Sequence, residues 1–500
     1  MSSKIAKNTV GLISLQFILK GIATLWTFYM ARKLGVSQYG LWANILALVA
    51  IFGTVQGIGT ANVIFKEVSQ KNNDAPRYFG SSLLIFGISS FIIFFCILLL
   101  SLLLGYRGNK LILTGMAAFS IVAVAPGLAC QSILYGLEQF VRYQIIFLLG
   151  SFIYFVLGFI LLETGFSIGG VFVALSLGYC MMSLLLILTT RNQCGGSIIW
   201  KESKLLASSL VQLGWPLAVA AILTEITLRF DRILIDRFFG EAEVGIYQAS
   251  FNLTIIPREA LLIPFITALA SKLYHYYAND KNAFMRLFEK SNIILWIGSL
   301  GIMGPCMVYP NKIIEFFYGK EFSRAASILP VLISGILPFF LLVLWQNVLI
   351  AQGKTKTLLW INFCSAIFSV LANTLCIKYL GITGAAWVTL ISFSGALLLT
   401  FFILKDEKLF FSLKRIPIIL MAFILTVSLS LAWYKGRDIS LFQWMLAMGI
   451  QTFIYLLLLI LFRAIQREEL NWVIKQLRSF IPFAQTADKR LNERISGNDL

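Results

Sequence analysis

The sequence predicts an all-α integral membrane protein: about fourteen transmembrane helices, twelve of them forming two six-helix lobes as a parallel repeat, plus an extra C-terminal helix pair. Three observations predict it. The 500 residues are 59% hydrophobic and only 13% charged, whereas soluble globular chains carry about 25% charged residues. Apolar runs of roughly 20 residues, long enough to cross about 30 Å of hydrocarbon, recur along the whole chain. Finally, "RKLGVSQYGLW" from Arg32 returns as "RFFGEAEVGIY" from Arg237, setting Arg32, Gly35, Gly40, Leu41 and Trp42 against Arg237, Gly240, Gly245, Ile246 and Tyr247 at one offset of about 205 residues.

The spans are helices because hydrocarbon offers backbone N–H and C=O groups no partner, so only helices or closed barrels can cross. Barrel strands would alternate polar and apolar residues, and "LLIFGISSFIIFFCILLLSLLLG" from Leu83 does not. In order, the spans fall near 9–31, 39–65, 79–104, 111–136, 144–162, 168–189, 214–239, 244–270, 291–317, 325–351, 356–378, 382–404, 416–434 and 441–462. The connections are short, the longest near 190–212 and 271–290, so no soluble domain fits between spans. The first span starts at about Thr9 and reads as a retained helix, being too long for a signal-peptide core and lacking a cleavage site.

Short cytoplasmic loops are enriched in Lys and Arg. With the N-terminus inside, about 26 of these residues fall in cytoplasmic segments and about 11 in outer ones, so both termini are expected in the cytoplasm. The formal net charge of +18 then serves topology and anionic headgroups, and gives no support to nucleic-acid binding.

The repeat extends beyond the turn. "QSILYGLEQ" from Gln131 matches "QNVLIAQGK" from Gln346, and "GFSIGGVFVAL" from Gly165 matches "GITGAAWVTL" from Gly381 with one gap. Six spans per unit is an even number, so both units start on the same side and are related by an axis along the membrane normal. In transporters such halves enclose a site near the midplane and expose it alternately. The sequence therefore divides into an N-terminal lobe (1–190), a cytoplasmic linker (191–212) whose "WKESKLL" suits a short interfacial helix, a C-terminal lobe (213–404), the extra pair (405–462) and a tail (463–500). In the tail Leu470, Val473, Ile474, Leu477, Phe480 and Ile481 recur at helical spacing among Arg467, Lys475 and Arg478, the pattern of a basic amphipathic helix on the cytoplasmic surface.

Two six-span lobes plus a pair, "RKLGVSQYGLW" after span one, "QGIGTANVIFKEVSQ" closing span two and "DRILIDRFFGEAEVGIY" at span seven together resemble the polysaccharide (O-antigen type, Wzx-like) flippases of the multidrug/oligosaccharidyl-lipid/polysaccharide exporter superfamily. The resemblance covers about residues 1–404 clearly and the remainder by span count. It implies a non-enzymatic carrier in the bacterial inner membrane. Its cargo would be an undecaprenyl-diphosphate-linked oligosaccharide, moved from the cytoplasmic to the outer leaflet. It also makes the polysaccharide polymerase machinery a candidate partner, implies no cofactor, and leaves the glycan open.

A sugar-diphosphate headgroup cannot cross hydrocarbon unaided, so ionisable residues inside spans should mark its path. They concentrate on span seven. At about 100° per residue, Glu225, Arg229, Arg232 and Asp236 lie within roughly 60° of one another, a stripe about 16 Å long, with Asp231 on another face. Lys20 occupies the repeat-equivalent position of Glu225, and Arg258 and Glu259 lie in span eight between Pro257 and Pro264. Lys20, Glu225, Arg229, Arg232, Asp236 and Arg258 are the substrate-binding candidates in the lumen; Glu225, Asp231 and Glu259 are candidates for ion coupling. The competing reading pairs Glu225 with Arg229 and Arg232 with Asp236 as structural i,i+4 bridges. Four cations balance four acids, so the residues alone do not establish a purely cationic lumen.

Other features carry less. "QGIGT" at Gln56 reads as close packing or a bend within a span; Trp26, Trp42, Tyr247 and Trp387 read as interfacial anchors near outer ends. His275 belongs to an expected loop, and the seven cysteines lack metal-ligand spacing. Two other functions compete: a cation-coupled exporter of small molecules from the same superfamily, and a membrane polymerase or acyltransferase. The latter generally needs catalytic groups at an aqueous surface, often on a long outer loop, and none is evident.

Overall fold

A computed structural model of the protein describes residues 2–70, 74–195, 203–405, 415–435, 437 and 440–464, with the side chains of 2–17, 203–205, 268 and 271 left undescribed. Every regular element among the described residues is helical. The first half of the chain supplies α1 (Ser2–Gly53), a 3₁₀ turn (Gln56–Gly59), α2 (Thr60–Gln70), α3 (Ala75–Leu103), α4 (Asn109–Gly136), α5 (Phe140–Glu163) and α6 (Ser167–Gln193). The second supplies α7 (Ser203–Phe239), α8 (Glu241–Pro257), a π turn (Arg258–Leu262), α9 (Ile263–Asn279), α10 (Lys281–Val308), α11 (Pro310–Tyr318), a 3₁₀ segment (Lys320–Ser327), α12 (Leu329–Ser334), α13 (Ile336–Ala351) and α14 (Thr355–Leu404). The extra pair is α15 (Ile416–Tyr434) and α16 (Leu441–Leu461).

Among the described residues twelve helical stretches are long and apolar enough to cross a membrane. Two of them hold an interior glycine outside helical geometry, Gly35 (φ 72°, ψ 175°) in α1 and Gly381 (φ 62°, ψ −146°) in α14. The fourteen segments read from sequence count each of these as two. Positive φ lets the chain reverse where other residues would be strained, and Gly35 does this at the start of the repeated turn.

The outer faces of the helices are apolar, and small polar residues share the inner ones. On α3 the large residues Ile88, Phe91, Ile92, Phe95 and Leu99 are exposed at helical spacing, while Ser81, Ser82, Ser89, Ser90 and Ser101 are buried against the neighbouring helices. With no hydrophobic drive between helices in lipid, small residues that permit close approach make the contact. One core lies mainly in the first half (Ile45, Ile97, Ala117, Phe172), with Ile233 of α7 packed into it, and another within the second (Phe288, Leu341, Leu344, Leu459). A third joins them: Trp26, Met30 and Tyr39 of α1 pack with Tyr247 and Phe251 of α8, Tyr318 of α11 and Phe322.

Three sequence readings change here. The expected loop 271–290 is almost all helix, because α9 continues to Asn279 and α10 begins at Lys281, so His275 sits on an exposed helical turn. Asp280 makes the sharp junction, its carboxylate accepting the backbone N–H groups of Asn282 and Ala283 as an N-cap. Trp26 and Tyr247 are buried, not interfacial, because each has a polar partner inside: Trp26 Nε1 donates to Tyr154 (2.8 Å) and Tyr247 to Asp231 (2.6 Å). Of "WKESKLL" in the linker, Ser203 to Leu206 form the first turn of α7, while 200–202 and the tail from 465 lie outside the described residues.

Candidate functional site: charges along the seam between the halves

The in-span charges lie along α1, α4, α7 and the α8–π turn segment, and they divide into five environments. Lys20 of α1 reaches across to the π turn, its Nζ 3.1 Å from Glu259 Oε2. Both side chains stay partly open, at 36% and 48% exposure, so this pair bridges the halves without being sealed. It lines a cavity of about 580 Å³ between α1 and α8, walled by Gly21, Ala23, Thr24, Phe28, Asn252, Ile255, Ile256, Phe317 and Tyr318.

Glu225 and Arg229 of α7 bond to each other through Oε2 and Nε, the i,i+4 pair read from sequence. Arg229 is 38% exposed and Glu225 21%, so this guanidinium keeps donors available.

Arg232, one turn further, is 2% exposed. Its Nε donates to Gln248, its Nη1 donates to the Leu228 carbonyl (2.6 Å) and to Asp231 Oδ1 (3.1 Å), and its plane lies 4.2 Å from the Phe251 ring centroid. Asp231 also accepts from the Tyr247 hydroxyl. The network runs on, Gln248 donating to Asn252 (2.6 Å) and Asn252 to Tyr39 (2.7 Å). Positions 247/251 and 248/252 place two aromatic rings and two amides on one stretch of α8 turned toward α7, and that is what satisfies a buried ion pair. Breaking such a pair leaves an uncompensated charge.

Asp236 is paired elsewhere. Both its carboxylate oxygens accept from Lys110 Nζ of α4 at 2.9 Å, and the same ammonium lies 3.0 Å from Glu241. The alternative i,i+4 bridge from Arg232 to Asp236 therefore does not form: Arg232 takes its neighbour Asp231, and Asp236, near the end of α7, takes Lys110.

Arg258 differs from all of these. Its guanidinium lies 3.6 Å from the Phe339 ring centroid and 5.8 Å from that of Phe393, and it makes no ion pair among the described residues. It opens the π turn, and single π turns within helices are frequent at functional sites because they free backbone and re-aim side chains. Span two is irregular at the repeat-equivalent depth, in the Gln56–Gly59 turn.

Sequence reasoning missed Lys110, Gln248, Asn252 and Tyr39. Lys110 lies one residue before the span read at 111–136, where basic residues are common; the amides and the tyrosine gain meaning only once α7 and α8 are in register. The described residues hold no group of three or more His, Cys, Asp or Glu able to bind a metal.

A family model described as polysaccharide biosynthesis protein matches residues 5–270, and one described as MatE matches residues 216–375. Among solved structures, the lipid II flippase MurJ in an inward closed conformation superposes with a TM-score of 0.74 at 17% identity, covering 90% of this chain and 99% of that one. An inward-facing multidrug resistance MATE family transporter of the MOP superfamily gives 0.65 at 15% identity, covering 80% and 98%. The Vibrio cholerae MATE transporter VcmN, in a mutant form, gives 0.58 at 17%, covering 82% and 99%. A search among curated protein sequences finds no match.

Proposed function

The chain belongs to the polysaccharide biosynthesis protein family, and from that premise we propose that it is a flippase for a lipid-linked oligosaccharide. The cargo is an undecaprenyl-diphosphate-linked glycan, carried from the cytoplasmic to the outer leaflet of the bacterial inner membrane by alternating access. Both termini lie in the cytoplasm, residues 1–190 and 213–404 act as the two lobes, and the polymerase machinery is the expected recipient of the product.

The observation that carries this reading is the cavity between α1 and α8, spanned by the partly exposed Lys20–Glu259 pair. A diphosphate in low dielectric must be met by cations as its hydration is lost. Lys20 can exchange one exposed carboxylate for a phosphate oxygen. Arg258, next to Glu259 in sequence though not itself among the residues lining the cavity, makes no ion pair among the described residues, and a guanidinium binds phosphate oxygens in pairs. Arg229 is a third contact, released from Glu225. Glu259 and Glu225 would then hold the cations in the empty carrier and take protons or cations when phosphate displaces them, which makes them the coupling candidates. Arg232, Asp231 and Asp236 are assigned to holding the helices, because their polar atoms are committed and buried.

The test is deletion of the gene followed by extraction of lipid-linked sugars. Accumulation of one undecaprenyl-diphosphate-linked oligosaccharide, reversed by the intact gene and not by the Lys20→Gln and Arg258→Met double variant, is the expected result; an unchanged lipid-linked pool argues against the reading. The MatE match over 216–375 favours one alternative, export of small organic molecules, which the same strain would reveal as drug sensitivity.

A further inference from the structure

Span two touches the second half of the chain through bare backbone at both of its ends. At one end a Cβ placed on Gly40 would lie 1.8 Å from the carbonyl oxygen of Glu241 and 2.7 Å from the nitrogen of Gly245, and one on Gly245 would lie 2.1 Å from the carbonyl oxygen of Val36. Side chains cannot approach so closely, so alanine at either position forces the helices apart. Val36 and Glu241 are repeat partners, as are Gly40 and Gly245, so the contact is reciprocal and a local two-fold axis passes through it. The turn occurs twice because its two copies pack on each other. Glu241 is held a second time, since Lys110 Nζ of the first half lies 3.0 Å from its carboxylate.

At the other end a Cβ on Gly59 would lie 2.2 Å from the carbonyl oxygen of Gly214, and one on Gly214 would lie 2.6 Å from the carbonyl oxygen of Ile58. This contact has no reciprocal counterpart, because the repeat partner of Gly59 is Pro264. Span two leaves helical geometry on approaching this second contact, with Gly57, Ile58 and Gly59 at φ 67°, 51° and 70°. Positive φ is costly for a β-branched residue such as Ile58 and persists only where surroundings over-determine it.

We propose that these contacts are opposed gates: Gly40 against Gly245, latched by Lys110 on Glu241, closes one face of the carrier, and Gly59 against Gly214 closes the other. The break in span two lets either part without the other, and the balance between the two contacts sets which face is open. This rests on the alternating-access reading above.

The experiment uses a cysteine-free chain carrying Ala23→Cys, a cavity-lining reporter, labelled with a membrane-impermeant maleimide in intact cells and in inverted membrane vesicles. Gly40→Ala and Gly245→Ala should raise labelling from the Gly40 face about tenfold and lower it from the opposite face; Gly214→Ala should do the reverse. Lys110→Gln adds no bulk and should shift labelling in the Gly40 direction, which keeps the test decisive where a glycine variant does not fold. Gly87→Ala is the control, since a Cβ there meets nothing within 4 Å. Shifts that are absent, or that share one direction for Gly245→Ala and Gly214→Ala, overturn the gate assignment while a parent labelled from both faces leaves alternating access standing. A parent labelled from one face only, with or without cargo, overturns both.

Discussion

Two arginines one turn apart on α7, alike in sequence, should fail in different ways. Arg232→Met removes a guanidinium that is 2% exposed and that neutralises an equally buried Asp231. What remains is a carboxylate held by the Tyr247 hydroxyl and the backbone N–H of residue 232, with no cation beside it, and Gln248 without its donor. Removing one partner of a buried pair costs about 3–5 kcal/mol, more than a hundredfold in the folded-to-unfolded ratio at about 1.4 kcal/mol per tenfold. Arg229→Met breaks a pair exposed at 38% and 21%, where the cost is about 0–1 kcal/mol. The assay is the fraction of detergent-solubilised protein that stays monodisperse after a heating series, with surface glycan measured in parallel. Arg232→Met should lose heat resistance and glycan together, and Asp231→Asn added to it should restore most of the heat resistance, because a neutral pair leaves no stranded charge. Arg229→Met should keep heat resistance and lose glycan several-fold. The reasoning is refuted by an Arg232→Met protein as heat-resistant as its parent yet inactive, since that would make the guanidinium a cargo contact.

Further outcomes can be checked alongside. Exchanging Lys20 and Glu259 as Lys20→Glu with Glu259→Lys should preserve the bridge and the protein level, yet leave transport at least about fivefold down if the ammonium must stand on α1; full activity would reduce the pair to a structural tie. Arg258→Lys keeps charge but loses the flat face stacked on Phe339, so transport should fall while Arg258→Met falls further; equal activity of Lys and Arg would count against bidentate phosphate binding. A cysteine at Ser37 should react with an impermeant thiol reagent outside cells and one at Asn279 should not, both positions being exposed; the reverse pattern would invert the topology.

The spans were legible because hydrocarbon imposes a single requirement, an unbroken apolar helix, that composition alone displays. Their ends blurred where the chain did not leave the helix, as at 271–290, where only the capping aspartate Asp280 marks the junction. The repeated glycines were legible as a pattern, but not as a contact: nothing in one strand of sequence says that Gly40 and Gly245 face each other. The charged stripe was found because in-span charges are rare, and its roles were not, because they depend on partners distant in sequence. Asp236 is claimed by Lys110, 126 residues away, and Arg232 is enclosed by side chains of α8 that carry no charge at all. Burial separates Arg229 from Arg232, and burial belongs to the packed helices.

The most direct measurement of the central claim is transport by the purified protein in liposomes loaded with a fluorescent undecaprenyl-diphosphate-linked oligosaccharide, scored by how fast an external lectin or glycosidase gains access to the sugar. The account predicts time-dependent exposure that requires the protein and falls at least about tenfold in Arg258→Met at equal reconstituted amount. Exposure at the protein-free rate, together with protein-dependent efflux of a small organic cation from the same liposomes, would contradict it.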